Sequence, residues 1–170
     1  TVSETASFNA NVIDAAVTEA YVYALMDDGS VWYWGQSILL PLKTTATNIV
    51  QISGDASYLY AINADGLVYR IYGSSVVQQS GLTEIIEISS TSGYTLALKQ
   101  DGTVWAWGNN DYDVFSDTYN GSTSTPIQIQ GLTDIQDVVA TTFIALFLKA
   151  DGTLVRRGYN AGLASIENIY

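Results

Sequence analysis

The sequence contains neither cysteine nor histidine. The absence of cysteine excludes disulfide bonds and thiolate metal sites. The absence of both residue types removes the usual general base and the thiol nucleophile of enzymes. A carboxylate pair that cleaves a polysaccharide is the enzymatic alternative, but most Asp residues lie in turn-like patterns where their role is conformational. We therefore predict a non-enzymatic protein.

Basic residues are also scarce, because six Lys and Arg face seventeen Asp and Glu, for a formal net charge of −11. Nucleic acid and anionic membrane surfaces are poor partners for such a chain, since binding them requires basic side chains near phosphates. No uninterrupted run of about 18 apolar residues is present, so no membrane insertion is predicted.

The low charge and the many Thr, Ser and Asn residues are typical of extracellular microbial proteins. No signal peptide is visible, and Thr1 is interpreted as a mature or trimmed start. We therefore predict an extracellular or cell-surface location.

The dipeptide Asp-Gly occurs four times, each time between two short apolar stretches. Glycine adopts a positive φ at no steric cost and Asp tolerates it, so each copy predicts a β-hairpin. The four copies are Asp28-Gly29, Asp65-Gly66, Asp101-Gly102 and Asp151-Gly152.

Each hairpin is flanked by further apolar segments, which gives about four short strands per repeat. The glycines are 37, 36 and 50 residues apart, a period typical of β-propeller blades. We predict an all-β fold of one domain over residues 1–170, with little helix. Its four repeats, each a four-stranded antiparallel sheet, are expected near 10–45, 46–81, 82–131 and 132–170.

The segments LALKQDGTVWAWGNNDYDVF (96–115) and TPIQIQGLTDIQDVVA (125–140) resemble the regulator of chromosome condensation repeat of bacterial secreted and surface proteins. The resemblance is close over 84–158 and looser over 11–80. It implies a β-propeller, commonly of seven blades. The sequence departs from the family in two respects. The His usual eight residues before Gly is replaced by Tyr21, Tyr58, Tyr94 and Ile144, and four repeats are too few for seven blades.

The way in which the ring closes has three interpretations. The chain closes as a small four-bladed propeller, forms an arc completed by a second copy, or is a piece of a longer protein. Ala6–Ala10 and Ser165–Ile169 each resemble a fragment of a fourth strand. Unpaired strand edges at the termini are templates for strand addition, which predicts self-assembly.

The longest departure from the short repeat is the loop from Asn109 to Pro126. Four of its side chains have the spacing of positions 1, 3, 5 and 9 of a calcium loop: Asn109, Asp111, Asp113 and Asp117. Val114 and Asn120 stand where the turn glycine and the bidentate Glu are wanted. The repeat family itself supplies Asn-Asn-x-Tyr here, which explains most of these residues without a metal. Ca²⁺ is thus an alternative, and no other cofactor is predicted.

The same loop carries three aromatic residues that are predicted to contact a partner, namely Tyr112, Phe115 and Tyr119. Asn120-Gly121-Ser122 is an N-glycosylation acceptor. Arg156 and Arg157 replace the aromatic residues of other repeats and are interpreted as a solvated pair.

Two tryptophan pairs, Trp32 with Trp34 and Trp105 with Trp107, have alternate positions on one strand face. We expect them to fill the space between blades, with stacking on sugar rings as the alternative. Together these patterns predict an extracellular structural or interaction module that binds a protein or its own copies. A carbohydrate-binding lectin is the alternative function, and a polysaccharide-cleaving enzyme comes after it.

Overall fold

The computed structural model describes residues 10–115, 121–159 and 164–166, the last three by their backbone alone. The described chain forms sixteen strands in four separate antiparallel sheets and contains no helix. The predicted all-β architecture of four blades is confirmed. No helix in the described ranges is long and apolar enough to cross a membrane.

Each blade consists of four consecutive strands, numbered here in chain order. Blade 1 contains β1 (Val12–Val17), β2 (Val22–Met26), β3 (Val31–Gly35) and β4 (Ile38–Lys43). Blade 2 contains β5 (Ile49–Gly54), β6 (Leu59–Asn63), β7 (Val68–Tyr72) and β8 (Ser75–Gln78). Blade 3 contains β9 (Ile85–Ser90), β10 (Tyr94–Lys99), β11 (Val104–Asn109) and β12 (Ser122–Gln128). Blade 4 contains β13 (Ile135–Ala140), β14 (Ile144–Lys149), β15 (Leu154–Gly158) and β16 (Ala164–Ile166).

The Asp-Gly pairs form the tight turns between the second and third strand of each blade. In blade 3 the last cross-strand pair before the turn is Leu98 with Val104, and Gly102 has a φ of +78°. A side chain at that φ is strained, which explains the glycine. The two prolines, Pro41 and Pro126, lie in the outer strands β4 and β12, where a missing N–H leaves the sheet's internal hydrogen bonds intact.

The hydrophobic core lies between the blades. One apolar cluster fills each junction, and Leu25 with Ile49, Ile62 with Ile85, and Leu98 with Ile135 represent the three clusters. Blades 2 and 3 therefore bury one face against the blade before them and the other against the blade after them, because side chains alternate along a strand.

The first strands of the blades follow one another as inner strands. β1 contacts β5, β5 contacts β9, and β9 contacts β13. Among the described residues, β13 and β1 share no contact of this extent. The described part of the chain thus has two end faces, one on blade 1 and one on blade 4.

The antiparallel order places the connections on two sides of the row of blades. The loops between first and second strands and between third and fourth strands lie on one side, which we call the loop face. The Asp-Gly turns and the connections between blades lie on the other side, which we call the hairpin face.

Candidate functional site on the loop face

A cleft of about 320 Å³ opens on the loop face between blades 2 and 3. Blade 2 contributes Tyr60 from β6 and Arg70 from β7, and blade 3 contributes Trp107 from β11. The side chain of Gln79 spans the two blades, because its Nε2 donates to the carbonyl oxygen of Ser124 at 3.1 Å. The cleft is thus built by strands that the inter-blade core already fixes.

The charged groups of this cleft come from blade 2. The guanidinium carbon of Arg70 lies 4.7 Å from the centroid of the Tyr58 ring, a cation–π contact. The Asp55 carboxylate accepts hydrogen bonds from the backbone N–H groups of Ser57 and Tyr58, each at 2.6 Å. Tyr58 therefore contacts both charged groups of the cleft, Arg70 through its ring and Asp55 through its backbone N–H.

Burial is the largest influence on the pKa of two side chains in the cleft. Burial raises the pKa of Asp55 above its usual value, against the lowering effects of the Tyr58 and Ser57 N–H groups and of Arg70. Burial likewise raises the pKa of Tyr60. The cleft thus combines the half-buried Asp55 and Arg70 with the rings of Tyr60 and Trp107, which are 5% and 3% exposed.

A glycoside-cleaving site needs two carboxyl groups that face one bond, whereas Asp55 is the one carboxylate among the described residues that line the cleft. Arg70 and Tyr58 also line a neighbouring depression of about 290 Å³, whose opposite side is formed by Tyr72, 6.1 Å from Tyr58 between ring centroids.

An exposed aromatic patch lies further along the loop face, between blades 3 and 4. It consists of Tyr112, Phe143 and Tyr159, and their exposed fractions are 36%, 52% and 59%. The Tyr112 ring meets Phe143 edge to face at 5.1 Å and Tyr159 at 6.1 Å. These residues line a depression of about 380 Å³.

The structure divides the residues predicted to contact a partner. Tyr112 is exposed in the aromatic patch, whereas Phe115 is 2% exposed and packs in the core between blades 3 and 4. Phe115 is held inward because the buried Asn110 accepts a hydrogen bond from its N–H at 3.0 Å. Phe115 is therefore a core residue. Tyr119 and the glycosylation acceptor Asn120 lie outside the described residues.

The calcium-loop candidates engage one another where the structure describes them. Asn109 donates from Nδ2 to the Asp111 carboxylate and accepts from the Asp111 N–H, each at 2.8 Å. Asp113 has a positive φ of 53°, and Asp117 lies outside the described residues. Within the described ranges, no three metal-binding side chains converge on one point.

The tryptophan pairs differ between the blades. Trp107 is 3% exposed and packs edge to face on Tyr60 at 5.2 Å, which is the expected filling between blades. Trp105 packs against the same cluster. Trp32 and Trp34 are half-buried on the end face of blade 1.

The interpretation of Arg156 and Arg157 as a solvated pair is wrong for Arg157. That residue is 6% exposed, and its guanidinium donates to the carbonyl oxygen of Gln130 at 2.9 Å. The alternation of β15 turns it toward blade 3, where the Gln130 carbonyl accepts from Nη2 while the Nε of Arg157 is buried without a hydrogen-bond partner. Arg156 is half-buried and donates to the carbonyl oxygen of Tyr159 at 3.1 Å.

Phe143, Tyr159, Asp55 and Arg70 were missed as site residues from the sequence. Each lies at or near the end of a strand that turns on the loop face. One signal was available in the sequence. Phe143 directly precedes Ile144, which occupies in the fourth repeat the position of the aligned tyrosines. Their convergence depends on contacts between repeats, which the spacing alone does not give.

Comparisons with known proteins agree with this architecture. Residues 85–113 match the model of the regulator of chromosome condensation (RCC1) repeat, a segment that runs from β9 into the loop after β11. None of the curated protein sequences matches the chain significantly.

Solved structures with a similar fold include human WBSCR16, with a TM-score of 0.79 and 16% identity over 92% of this chain and 52% of that one. Prp20p from Saccharomyces cerevisiae gives a TM-score of 0.73 and 15% identity over 95% of this chain and 49% of that one. The computationally designed Ika4 protein gives 0.62 and 13% identity over 91% of this chain and 94% of that one.

The chain spans about half the length of the two natural proteins. At these identities the likeness concerns the fold. The chain therefore has a β-propeller-type fold, and residues 85–113 of its third blade match the RCC1 repeat model.

Proposed function

We propose that this chain is a non-enzymatic interaction module, extracellular or on a cell surface, whose loop face binds a protein partner. The observation that supports it is the cleft between blades 2 and 3, which is lined by the half-buried Arg70 and Tyr58 together with the buried rings of Tyr60 and Trp107. Tyr, Trp and Arg are the side chains that dominate the energetics of protein interfaces. The bacterial secreted or surface setting is part of this proposal and is supported by the composition.

Protein binding by relatives of the same fold supports the proposal. A crystal structure shows Kap60 bound to yeast RCC1 (Prp20), and Prp20p is described with binding properties to Gsp1p and histones. These partners belong to those proteins. For this chain they indicate that a propeller of this type is a suitable scaffold for protein recognition.

The test is selection of a phage-displayed random peptide library on the immobilised chain. We expect enriched peptides whose dissociation constant rises at least about tenfold on Arg70→Ala. Lys43→Ala, which removes an exposed basic residue from the outer strand β4, is the matched control and leaves binding unchanged. Failure to enrich any peptide, or equal binding by Arg70→Ala, contradicts the proposal.

A carbohydrate-binding function is the second candidate, and the aromatic patch of Tyr112, Phe143 and Tyr159 favours it. Exposed rings that line a depression offer stacking surfaces for a sugar. A glycan array decides between the two functions. We expect any sugar signal to be lost in Tyr112→Ala and kept in Tyr72→Ala, an exposed tyrosine of blade 2. Silence across all sugar classes eliminates this candidate.

A structural role through self-assembly is part of the main proposal. The outer strand β4 carries the exposed side chains Leu39 and Leu40, and an outer strand is a template for another strand. Pro41 in the same strand weakens that template, because it has no N–H to donate. The end faces of blades 1 and 4 are the other surfaces at which copies can meet.

A further inference from the structure

Neighbouring blades are joined by the same apolar contact at all three junctions. The first residue of each following inner strand, Ile49, Ile85 or Ile135, is at most 4% exposed. It packs in a cluster with the strands of the preceding blade, as Ile49 does with Leu25 and Val31. The junction is therefore one repeated interface.

A backbone hydrogen bond accompanies this contact on the hairpin face. The N–H groups of Ile49, Ile85 and Ile135 donate to the carbonyl oxygens of Gly29, Gly66 and Gly102, at 3.0, 3.0 and 3.2 Å. The first three Asp-Gly turns thus also bind the blade that follows each of them.

Side chains of the inner strands add a third component. Ser53 Oγ accepts from the N–H of Ser90 at 2.9 Å between blades 2 and 3. Ser89 Oγ accepts from the N–H of Ala140 at 2.9 Å between blades 3 and 4. By register with their neighbours, Ser53 and Ser89 occupy the same position in their blades, as do Ser90 and Ala140.

Blade 4 has the surface that packs against the following blade in blades 1 to 3. Among the described residues, no blade follows it. Leu148 and Leu154 are half-buried, whereas their counterparts Leu98 and Val104 are 0% exposed. Gly152 is exposed, in contrast to the half-buried Gly102. The position of Ser89 is taken in blade 4 by Val139, which is 45% exposed.

Blade 1 has the surface that packs against the preceding blade in blades 2 to 4. Among the described residues, no blade precedes it. Val12 pairs with Met26 as Ile49 pairs with Asn63, so these two residues are equivalent. Val12 is 50% exposed and Ile49 is 2% exposed. Val17, at the position of Ser90, is 66% exposed. Trp32 and Trp34 lie on the same half-buried face.

We propose that blade 4 of one copy docks on blade 1 of a second copy through this same interface, so that two copies complete one ring. This inference rests on the self-assembling role proposed above and names its partner and contact surface. In this arrangement Val139 of one copy meets Val17 of the other, at the position where the junctions of blades 2 with 3 and 3 with 4 place a serine hydroxyl against an N–H group.

One observation favours a second copy as the occupant of the end faces. Among the described residues, the end faces are the two unmatched halves of an interface that already occurs three times within the chain, so any copy supplies the complement of another. An interface between different surfaces of identical chains forms a ring when the rotation closes.

The first test is sedimentation velocity of the purified chain over a range of concentrations. We expect a dimer of the 18.4 kDa chain that dissociates in Val17→Asp, with a dissociation constant at least about tenfold higher. Val77→Asp changes an exposed valine on the outer strand β8 and leaves the dimer intact. Thermal unfolding of both variants checks that the blades remain folded.

Disulfide trapping tests the orientation, since the natural chain has no cysteine. Val17→Cys and Val139→Cys are prepared as separate copies and mixed under oxidation. We expect the mixed disulfide dimer in large excess over either homodimer. The double variant Ser53→Cys with Ser90→Cys is the internal reference, because it places the same pair of positions across a junction within one chain.

A chain that stays monomeric at all concentrations overturns the inference. So does a dimer that Val17→Asp leaves intact, a dimer lost in Leu39→Asp on the outer strand, or homodimeric disulfides without the mixed species. The peptide selection on the loop face is independent of these results, because Arg70 lies between blades 2 and 3. Failure of the ring and failure of the binding function are therefore distinguishable.

Discussion

The hydroxyl group of Tyr94 in blade 3 lies 2.9 Å from the carbonyl oxygen of Ile144 in blade 4. Ile144 occupies in blade 4 the position that Tyr94 occupies in blade 3. The same hydroxyl lies 2.8 Å from the carbonyl oxygen of Thr141. One side chain thus holds the loop between β13 and β14 against the preceding blade. Burial raises the pKa of Tyr94 far above its usual value, so the phenol remains a hydrogen-bond donor at any ordinary pH.

Removal of this hydroxyl is expected to lower the free energy of unfolding. Tyr94→Phe keeps the ring in the core and leaves the loop carbonyls without their donor, at a cost of about 1 kcal/mol. Tyr112→Phe is the matched control, because Tyr112 lies in the exposed patch. Urea unfolding followed by tryptophan fluorescence measures both. Equal stability of Tyr94→Phe and the natural chain contradicts this role of the hydroxyl.

The carboxyl groups of Glu87 and Asp137 lie close together on the inner strands of blades 3 and 4. Burial, followed by the charge of Asp137 and a hydrogen bond with it, raises the pKa of Glu87 to about 7, and the N–H of Val138 opposes the rise. Because the pKa of Glu87 in the folded state exceeds its ordinary value of 4.5, the folded state binds the proton more tightly. The stability contributed by Glu87 is therefore lost as the pH rises from about 4.5 to about 7.

Glu87→Gln is expected to remove this loss. The equivalent residue of blade 2 is already a glutamine, Gln51, which accepts from the N–H of Ile88 at 2.9 Å. We expect the variant to be more stable than the natural chain at pH 8 by about 1 kcal/mol, after allowance for solvent screening, and equally stable at pH 4. Denaturation at both pH values measures the difference. Glu19→Gln, at an exposed position, controls for net charge, and a gain of the same size there argues against the pair.

Gly66 combines a positive φ with a close contact to the next blade. Its φ is +72°, and a Cβ placed there meets the Glu84 Cα at 2.9 Å. Gly81 has a φ of +81° and no atom within 4 Å of such a Cβ. We expect Gly81→Ala to cost about 1 kcal/mol from backbone strain alone. Gly66→Ala is expected to cost at least about 1 kcal/mol more, because the backbone of the next blade must also move. Calorimetry of both variants measures their losses in free energy of unfolding, and the difference is the contribution of the contact with the next blade. Equal losses would show that this contact adds nothing.

The hairpins and the count of blades follow from the sequence because both depend on local chemistry. Asp101 and Gly102 set their turn within a few residues, and the alternation of Leu96, Leu98, Val104 and Ala106 determines which side of the sheet is apolar. The strand bounds are consequently close to the apolar segments that flank each Asp-Gly pair.

The site does not follow from the sequence to the same degree. Phe115 lies in a loop that is predicted to be exposed, but the hydrogen bond from its N–H to Asn110 turns it inward. The cleft of Arg70 and Trp107 joins side chains 37 positions apart in the sequence, and their encounter depends on the way in which two blades pack. The pairing of Glu87 with Asp137 has the same origin, because both residues are ordinary members of their own strands.

The comparison of Val138→Ala with Val12→Ala tests the central claim, that one repeated interface joins the blades and leaves the first of them uncovered. Both variants remove the same two methyl groups from an inner strand, but Val138 is 1% exposed and Val12 is 50% exposed. At concentrations at which the chain sediments as a monomer, we expect Val138→Ala to lower the free energy of unfolding by about 2 kcal/mol and Val12→Ala by less than about 0.5 kcal/mol. Equal losses in the monomer would show that blade 1 is covered by the chain itself and would contradict the account.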